Sequence, residues 1–236
     1  MNSIRSARMQ TPVGDTKIPG YYSRPEEDGP WPAVIVIHGS DGFKPNHADI
    51  CDKLAAAGLA AFAPTWFAPG TQRSHWDSLR PEDIPAAVAD FQGRINVDPE
   101  RLGLMGFSRG GGLALFLGTQ LPNVRAIVNY FGLTDWAGGL AELPHLPLNP
   151  ADPLDFVRHL PCPVLSFHGN QDTVVPVHNT RHLDAACRRF SIPHEPVIYP
   201  GVNHSFIWEG GDKHDPAAHR DSWQKALAFL ARHLQK

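Results

Sequence analysis

Short apolar runs alternate with longer amphipathic segments along the chain. The apolar runs carry almost no polar alternation and lie at 33–37, 59–63, 102–105, 124–129, 164–168 and 195–199. The segments between them have helical spacing and lie at about 47–57, 83–93, 109–119, 178–190 and 216–233. Apolar runs of this kind are typical of strands buried on both faces, and their alternation with helices indicates a parallel sheet.

These elements predict an α/β fold, in which helices cover both faces of a mostly parallel central sheet. Residues 20–24 predict one additional strand, and Gly58 predicts the end of the first helix because glycine readily adopts the left-handed cap conformation. Neither a repeat nor a linker divides the sequence, so we expect a single domain over 1–236. Residues 136–160, rich in glycine, proline and leucine, break the alternation and predict a short lid-like insertion.

The composition and charge of the chain argue against several classes of protein. The 21 glycines and 23 prolines exceed their ordinary combined share of about 12% without forming a repeat, so the excess belongs to loops. A net charge of −3 argues against nucleic-acid binding, and the chain has no apolar stretch approaching the roughly 18 residues of a membrane helix. Three widely spaced cysteines and a polar N-terminal segment predict a cytoplasmic protein.

The pattern G-x-S-x-G occurs at Gly106-Phe107-Ser108-Arg109-Gly110. A predicted strand precedes it and a small-residue helical segment follows it, which is the setting of a nucleophile elbow. Glycines on both sides of the serine allow strand and helix to approach closely. Five-residue patterns arise often by chance, so the strand–turn–helix context carries the prediction that Ser108 is a nucleophile.

A serine nucleophile needs a base, and the base needs an acid to orient it. In a sheet of this type the acid and then the base follow the nucleophile, each on a loop after a later strand. Asp172 follows the run at 164–168, and His204 follows the run at 195–199. We therefore predict Asp172 as the acid and His204 as the base, with Asp135 as the rival acid.

Backbone N–H groups of Ser40 and Arg109 are the predicted oxyanion hole, because they follow a strand end and the nucleophile respectively. His38, at the same strand end as Ser40, is expected to bond the backbone and fix the loop rather than act as a base. Aromatic residues near the predicted strand ends indicate a pocket for an apolar or aryl acyl group. They are Phe43, Trp66, Phe67, Trp136, Phe206 and Trp208.

Two histidine pairs have spacings that metal sites use, His178 with His182 and His214 with His219. No carboxylate or cysteine completes either pair as a metal site. We therefore expect no metal and no cofactor, and a small-molecule ester or lactone as the partner.

Five stretches of the chain resemble the dienelactone hydrolase family of the α/β-hydrolase superfamily. They span roughly residues 33–207 and read VIVIHGSDGF, LAAFAPTWFAPG, RLGLMGFSRGGGLAL, VLSFHGNQDTVVP and VIYPGVNHSF. The resemblance implies the α/β-hydrolase fold and places the triad at Ser108, Asp172 and His204, in agreement with the assignment from strand order.

The chain departs from the family's namesake enzymes at three places. Those enzymes carry cysteine as the nucleophile, where this chain has Ser108, and a glutamate where it has Gly39. They also hold the substrate carboxylate with an arginine shortly after the base, where this chain has Ile207 and Trp208. Family members with serine are expected to be more general carboxylic-ester hydrolases.

The sequence thus predicts a serine hydrolase that cleaves carboxylic esters through an acyl-enzyme. Lactones, thioesters or short-peptide amides on the same triad are the alternative substrates. A non-catalytic binding module on this fold is the alternative from a different class, because a fold does not determine a function. Such a module predicts a broken triad, whereas Ser108, Asp172 and His204 are all present.

Overall fold

The computed structural model describes residues 3–66, 83–134 and 154–235. The strands are β1 (Ile4–Val13), β2 (Thr16–Pro25), β3 (Trp31–Ile37), β4 (Ala60–Pro64), β5 (Val97–Phe107), β6 (Val124–Tyr130), β7 (Val164–Gly169) and β8 (His194–Tyr199). The α-helices are α1 (Pro45–Ala56), α2 (Asp83–Arg94), α3 (Arg109–Gly118), α4 (His178–Arg189) and α5 (Pro216–Leu234). A short 3₁₀ helix covers Asp155–His159.

The strands form one sheet in the order β1-β2-β4-β3-β5-β6-β7-β8. Strands β3 to β8 pair in parallel, whereas β1–β2 and β2–β4 pair antiparallel. The connection after β3 runs to β4 on one side, and the chain then crosses back to β5 on the other. Ligands of open α/β sheets bind outside the carboxyl ends of the strands at such a reversal, which here lies between β3 and β5.

Helices cover the sheet on both faces. Helices α2, α3 and α4 pack on one face, and α1 and α5 pack on the other, so the sheet separates two apolar clusters. Every residue of β3 is buried, because side chains of both orientations meet a helix layer. This arrangement confirms the predicted α/β class.

The predicted elements coincide closely with the observed ones. The six apolar runs lie in β3 to β8, residues 20–24 lie in β2, and the five helical segments match α1 to α5. Gly58 ends the first helix with a φ of 90°, as expected. Strand β1 was not predicted, because as an outer strand it buries only Met9 and Thr11 and its sequence is mostly polar.

Most of the insertion predicted at 136–160 lies outside the described residues, and its far end contains the 3₁₀ helix. In the described part of the chain, no helix combines the length and apolarity needed to cross a membrane.

Candidate active site

Ser108 lies in a one-residue turn between β5 and α3, with φ 54° and ψ −122°. Residues other than glycine seldom adopt a positive φ, and backbone strain of this kind clusters at active sites. The Ser108 N–H donates to the carbonyl oxygen of Tyr130 at 2.9 Å, and the Ser108 carbonyl accepts from the Leu133 N–H at 3.0 Å. Bonds to the end of the neighbouring strand therefore hold the strained turn.

Glycines at 106 and 110 allow this turn to form. A Cβ atom at Gly106 would collide with the carbonyl oxygen of Gly110, and a Cβ at Gly110 would collide with the carbonyl oxygens of Ile37 and His38. Strand β5, helix α3 and the end of β3 thus meet at a separation that no larger residue permits. This close approach is the one that the motif predicted.

His204 and Asp172 meet across two neighbouring loops at the carboxyl end of the sheet. The Nδ1–H of His204 donates to Oδ2 of Asp172 at 2.6 Å. The Asp172 side chain is fully buried, and that of His204 is 8% exposed. Because Nδ1 carries the proton in this bond, the unprotonated nitrogen of the neutral ring is Nε2, the tautomer that a general base requires.

The Asp172 carboxylate is well supplied with donors. Its Oδ1 atom accepts the N–H groups of Val174 and Val175 at 2.9 and 2.8 Å, and His168 Nε2 lies 3.2 Å from Oδ2. Burial raises the pKa of this carboxyl, but the bonds from His168, His204 and Val175 outweigh burial and hold the pKa well below its usual range. The acid is therefore ionised throughout the neutral range.

The loop after β3 presses against the nucleophile. A Cβ atom at Gly39 would lie 3.1 Å from the Ser108 Cβ and 3.0 Å from the Phe107 carbonyl oxygen, which is tighter than ordinary packing. His38 Nδ1–H donates to the carbonyl oxygen of Gly39 at 2.9 Å, and burial lowers the pKa of His38 to about 3. His38 is therefore neutral and fixes the loop, as expected from its position.

One cavity of about 720 Å³ brings the predicted reactive groups together. Ser40, Ser108, Arg109 and His204 all line it, and Asp172 lies behind His204. Its apolar wall is formed by Phe107, Phe131 and Trp208, and its charged rim by Asp41, Lys44, Glu209, Asp212 and Lys213. A cavity of this volume suits a small organic molecule.

The predicted aromatic pocket differs from the observed wall. Of the six aromatic residues expected there, Trp208 lines the cavity. Phe206 is instead fully buried, because the chain turns inward after His204 and packs this ring against Tyr130, Phe131 and Tyr199. In the described part of the cavity, Phe107 and Phe131 form the apolar wall together with Trp208.

Trp66 and Phe43 support the loop after β3 from behind. Trp66 is 3% exposed, stacks on His38 and donates its Nε1–H to the His38 carbonyl oxygen at 3.1 Å. Phe43 packs against Tyr21 and His47. Phe67 and Trp136, and the rival acid Asp135, lie outside the described residues.

Three further residues contribute to the site without having been predicted. Phe131 follows β6 with a φ of 40° and packs its ring edge on His204, at 4.6 Å between ring centroids. His47 lines the cavity, and His168 contacts Asp172. Phe131 and His168 both stand at or beside the carboxyl ends of strands that neighbour the nucleophile and the acid, which is the sequence signal that would have found them.

In the ranges 3–66, 83–134 and 154–235, no group of three or more histidine, cysteine, aspartate or glutamate side chains is arranged to hold a metal ion. His214 Nε2 lies 3.2 Å from His219 Nδ1, so this pair is occupied by a mutual hydrogen bond.

Folding stability is expected to fall as the pH drops from about 6.5 toward 4. Burial lowers the pKa of His38 to about 3 and that of His47 to about 4, whereas unfolded histidine titrates near 6.5. In this pH range the unfolded chain binds protons that the folded chain does not. Each of the two histidines therefore lowers the free energy of unfolding by up to about 1.4 kcal/mol for every pH unit. The lowered pKa of Asp172 adds a loss only below about pH 4. Urea unfolding followed by tryptophan fluorescence between pH 7.5 and 5 measures this slope.

A matched pair of variants tests that assignment. His47→Gln keeps an acceptor for the Lys44 N–H, which lies 3.0 Å from His47 Nδ1, but removes the titrating ring, so its slope should be shallower. His182→Gln removes an exposed histidine and should leave the slope unchanged. A wild-type slope in His47→Gln, or no slope in the wild-type protein, would contradict the expectation.

Comparisons with known proteins identify the family of this chain. The sequence profile of the dienelactone hydrolase family matches residues 18–234. A Synechocystis protein named "Putative carboxymethylenebutenolidase" is 28% identical over 252 residues, covering 98% of each chain. A Bradyrhizobium protein named "Probable 2-oxo-3-(5-oxofuran-2-ylidene)propanoate lactonase" is 26% identical, covering 94% of this chain and 91% of its own.

The structural comparison leads to the same family. The crystal structure titled "Putative Dienelactone Hydrolase" from Klebsiella pneumoniae superposes with a TM-score of 0.83 at 26% identity, covering 98% of this chain and all of its own. The chain therefore belongs to the dienelactone hydrolase family and is a hydrolase with the α/β-hydrolase fold.

Proposed function

We propose that this chain is a serine hydrolase that cleaves carboxylic esters through an acyl-enzyme. The observation that carries the proposal is the strained Ser108 turn, which shares a cavity with a histidine whose Nδ1 is held by a buried carboxylate. The alternative on the same triad is a lactone or thioester hydrolase. The names of the Synechocystis and Bradyrhizobium relatives favour the lactone among these alternatives.

The proposed reaction begins when Ser108 Oγ attacks the substrate carbonyl and His204 Nε2 takes its proton. Asp172 stays ionised and stabilises the imidazolium that results. The tetrahedral intermediate collapses as His204 returns the proton to the departing alkoxide, which leaves as the alcohol. Water then attacks the acyl-enzyme with His204 as base, and Ser108 is released with the carboxylic acid.

Charge on the carbonyl oxygen is proposed to be stabilised by the N–H groups of Ser40 and Arg109. The contact between Gly39 and Ser108 supports this assignment, because it places the residues after β3 against the nucleophile. Arg109 opens helix α3, and amides in the first turn of a helix are suited to negative charge. Both residues line the cavity with Ser108.

The cavity favours a small substrate. Trp208 stands in the segment after the base where the namesake enzymes hold a carboxylate, and it gives the acyl group an apolar surface. In a lactone the leaving alcohol remains attached to the acyl group, so lactone cleavage needs no second exit path.

The three cysteines are buried thiols, which is consistent with the reducing cytoplasm as the compartment.

Labelling with a fluorophosphonate probe, followed by peptide mass spectrometry, tests the nucleophile, and a substrate panel tests the specificity. We expect one adduct, on Ser108 of the folded protein. The panel compares p-nitrophenyl esters of increasing chain length with a thioester, a simple lactone, a dienelactone and an anilide. Short p-nitrophenyl esters should have the highest kcat/KM, and a preference for lactones would establish the alternative. Absence of the adduct would favour a binding module instead.

A further inference from the structure

Two histidines with almost fully buried side chains join helix α4 to the end strands of the sheet. His168, on β7, places Nδ1 2.7 Å from the Thr180 hydroxyl of α4. His194, on β8, places Nδ1 3.1 Å from Asp184 of α4 and Nε2 2.9 Å from the Ser166 hydroxyl of β7. Both rings therefore connect the same helix to the same part of the sheet, but they reach different groups at their other nitrogen.

The protonation of His168 follows from its neighbours. Its Nε2 atom lies 2.8 Å from the Val175 carbonyl oxygen and 3.2 Å from Asp172 Oδ2, and both of these atoms are acceptors. Nε2 must therefore carry a proton, and Nδ1 is paired with the Thr180 hydroxyl. The His168 and Asp172 side chains are both fully buried, so water does not replace this contact.

His168 and His204 share one carboxylate oxygen. The 2.6 Å bond from His204 and the 3.2 Å approach of His168 both end on Asp172 Oδ2, while Oδ1 is held by two backbone N–H groups. The Nε2–H of His168 is shared between the nearer Val175 carbonyl oxygen and Oδ2, and its approach to Oδ2 favours one direction of the carboxylate and reduces the pull of Oδ2 on the His204 proton. Within the described ranges, His168 and His204 are the ionisable side chains in contact with Asp172. Thr180, the residue of α4 that contacts His168, does not titrate.

We propose that His168 is a positioning residue of the hydrolytic reaction: through its Nε2–H it holds Asp172 Oδ2 in line with His204 Nδ1, and Thr180 fixes the orientation of the His168 ring. This inference rests on the proposed function of Ser108, Asp172 and His204. His168 touches no substrate and acts only through the acid.

The second histidine provides a matched control. Ser166, His194 and Asp184 repeat the order of a catalytic triad, but Ser166 is 1% exposed and lies within the sheet, out of reach of a substrate. This group therefore serves packing between β7, β8 and α4. Replacing either His194 or His168 should lower thermal stability, but replacing His194 should leave Asp172 unaffected.

The experiment compares His168→Asn, His168→Gln and His194→Asn. The asparagine amide can replace Nδ1 against Thr180 but is too short to reach Asp172, whereas the glutamine amide can donate where Nε2 does. For His168→Asn we expect a 10- to 100-fold fall in kcat on a p-nitrophenyl ester with little change in KM, which is the effect of losing one bond to a charged group. The acidic limb of its kcat/KM profile should move to higher pH, because Oδ2 then attracts the His204 proton more strongly.

His168→Gln should stay within about fivefold of the wild-type kcat and keep the wild-type pH profile, and His194→Asn should change only the melting temperature. An unchanged pH profile in His168→Asn, or an equal loss of kcat in His194→Asn, overturns the proposal. If His168→Asn does not fold, Thr180→Val tests the same bond and should shift the limb in the same direction by less. Fluorophosphonate labelling of the wild-type protein separates the two proposals: no Ser108 adduct refutes the triad, whereas an adduct with an unshifted limb refutes only the role of His168.

Discussion

Replacing Ser108 with alanine is expected to lower kcat/KM for p-nitrophenyl esters by about 10⁴-fold or more and to abolish fluorophosphonate labelling. The covalent step disappears with the hydroxyl, and only the oxyanion donors and the bound geometry remain to assist water. The fold should persist, because alanine and serine meet the same constraint at a φ of 54° and the backbone bonds that Ser108 makes to the Tyr130 carbonyl and with the Leu133 N–H do not involve its side chain. Steady-state kinetics and a thermal melt on the same preparation measure both effects.

Ser191→Ala is the matched control for this variant. Ser191 also has a positive φ, of 58°, but it follows helix α4 and is not among the residues that line the cavity. Its replacement should leave kcat/KM unchanged, so any general effect of removing a serine hydroxyl from a strained turn is accounted for. Retention of more than about a tenth of the activity in Ser108→Ala would exclude Ser108 as the nucleophile.

Much of the fold was predictable because burial leaves a clear signature in the sequence. A strand covered by helices on both faces, such as β3, must be apolar at every position, and the sequence shows this directly. Strand β1 pairs with β2 alone and buries few residues, so its polar sequence carried no such signature. Its existence depends on pairing with a neighbour, which is a property of the tertiary structure.

The candidate site likewise has features that the sequence predicts and features that it does not. The positions of Ser108, Asp172 and His204 could be assigned from strand order, because parallel strands bring their following loops to one edge of the sheet. The direction of a side chain within those loops could not. Phe206 and Trp208 are two residues apart in one loop, yet Phe206 enters the core and Trp208 faces the cavity. Packing against Tyr130 and Phe131 decides that difference, and the local sequence does not encode it.

Asp172→Asn is expected to lower kcat by about 10³- to 10⁴-fold while leaving a folded but less stable protein. Among the described residues, the atoms that face the carboxylate are donors: two backbone N–H groups at Oδ1, the His204 Nδ1–H at Oδ2, and His168 Nε2 at 3.2 Å from Oδ2. The amide NH₂ of asparagine must therefore oppose a donor in either orientation. If it faces His204, the ring adopts the other tautomer and Nε2 can no longer accept the Ser108 proton. Loss of charge-assisted bonds should also reduce the unfolding free energy by about 2–4 kcal/mol.

Two further variants decide whether this effect belongs to the acid of a triad. Asp184→Asn alters the carboxylate that binds the other buried histidine, His194, and should lower stability modestly with kcat unchanged. Asp135→Asn tests the rival acid and should also retain activity. A 10³-fold loss in Asp135→Asn with an active Asp172→Asn would reverse the assignment, and the Asp172–His204 bond of 2.6 Å would then be structural. If Asp172→Asn alone is impaired, its carboxylate must act through His204, because it is buried behind that ring and cannot reach a substrate.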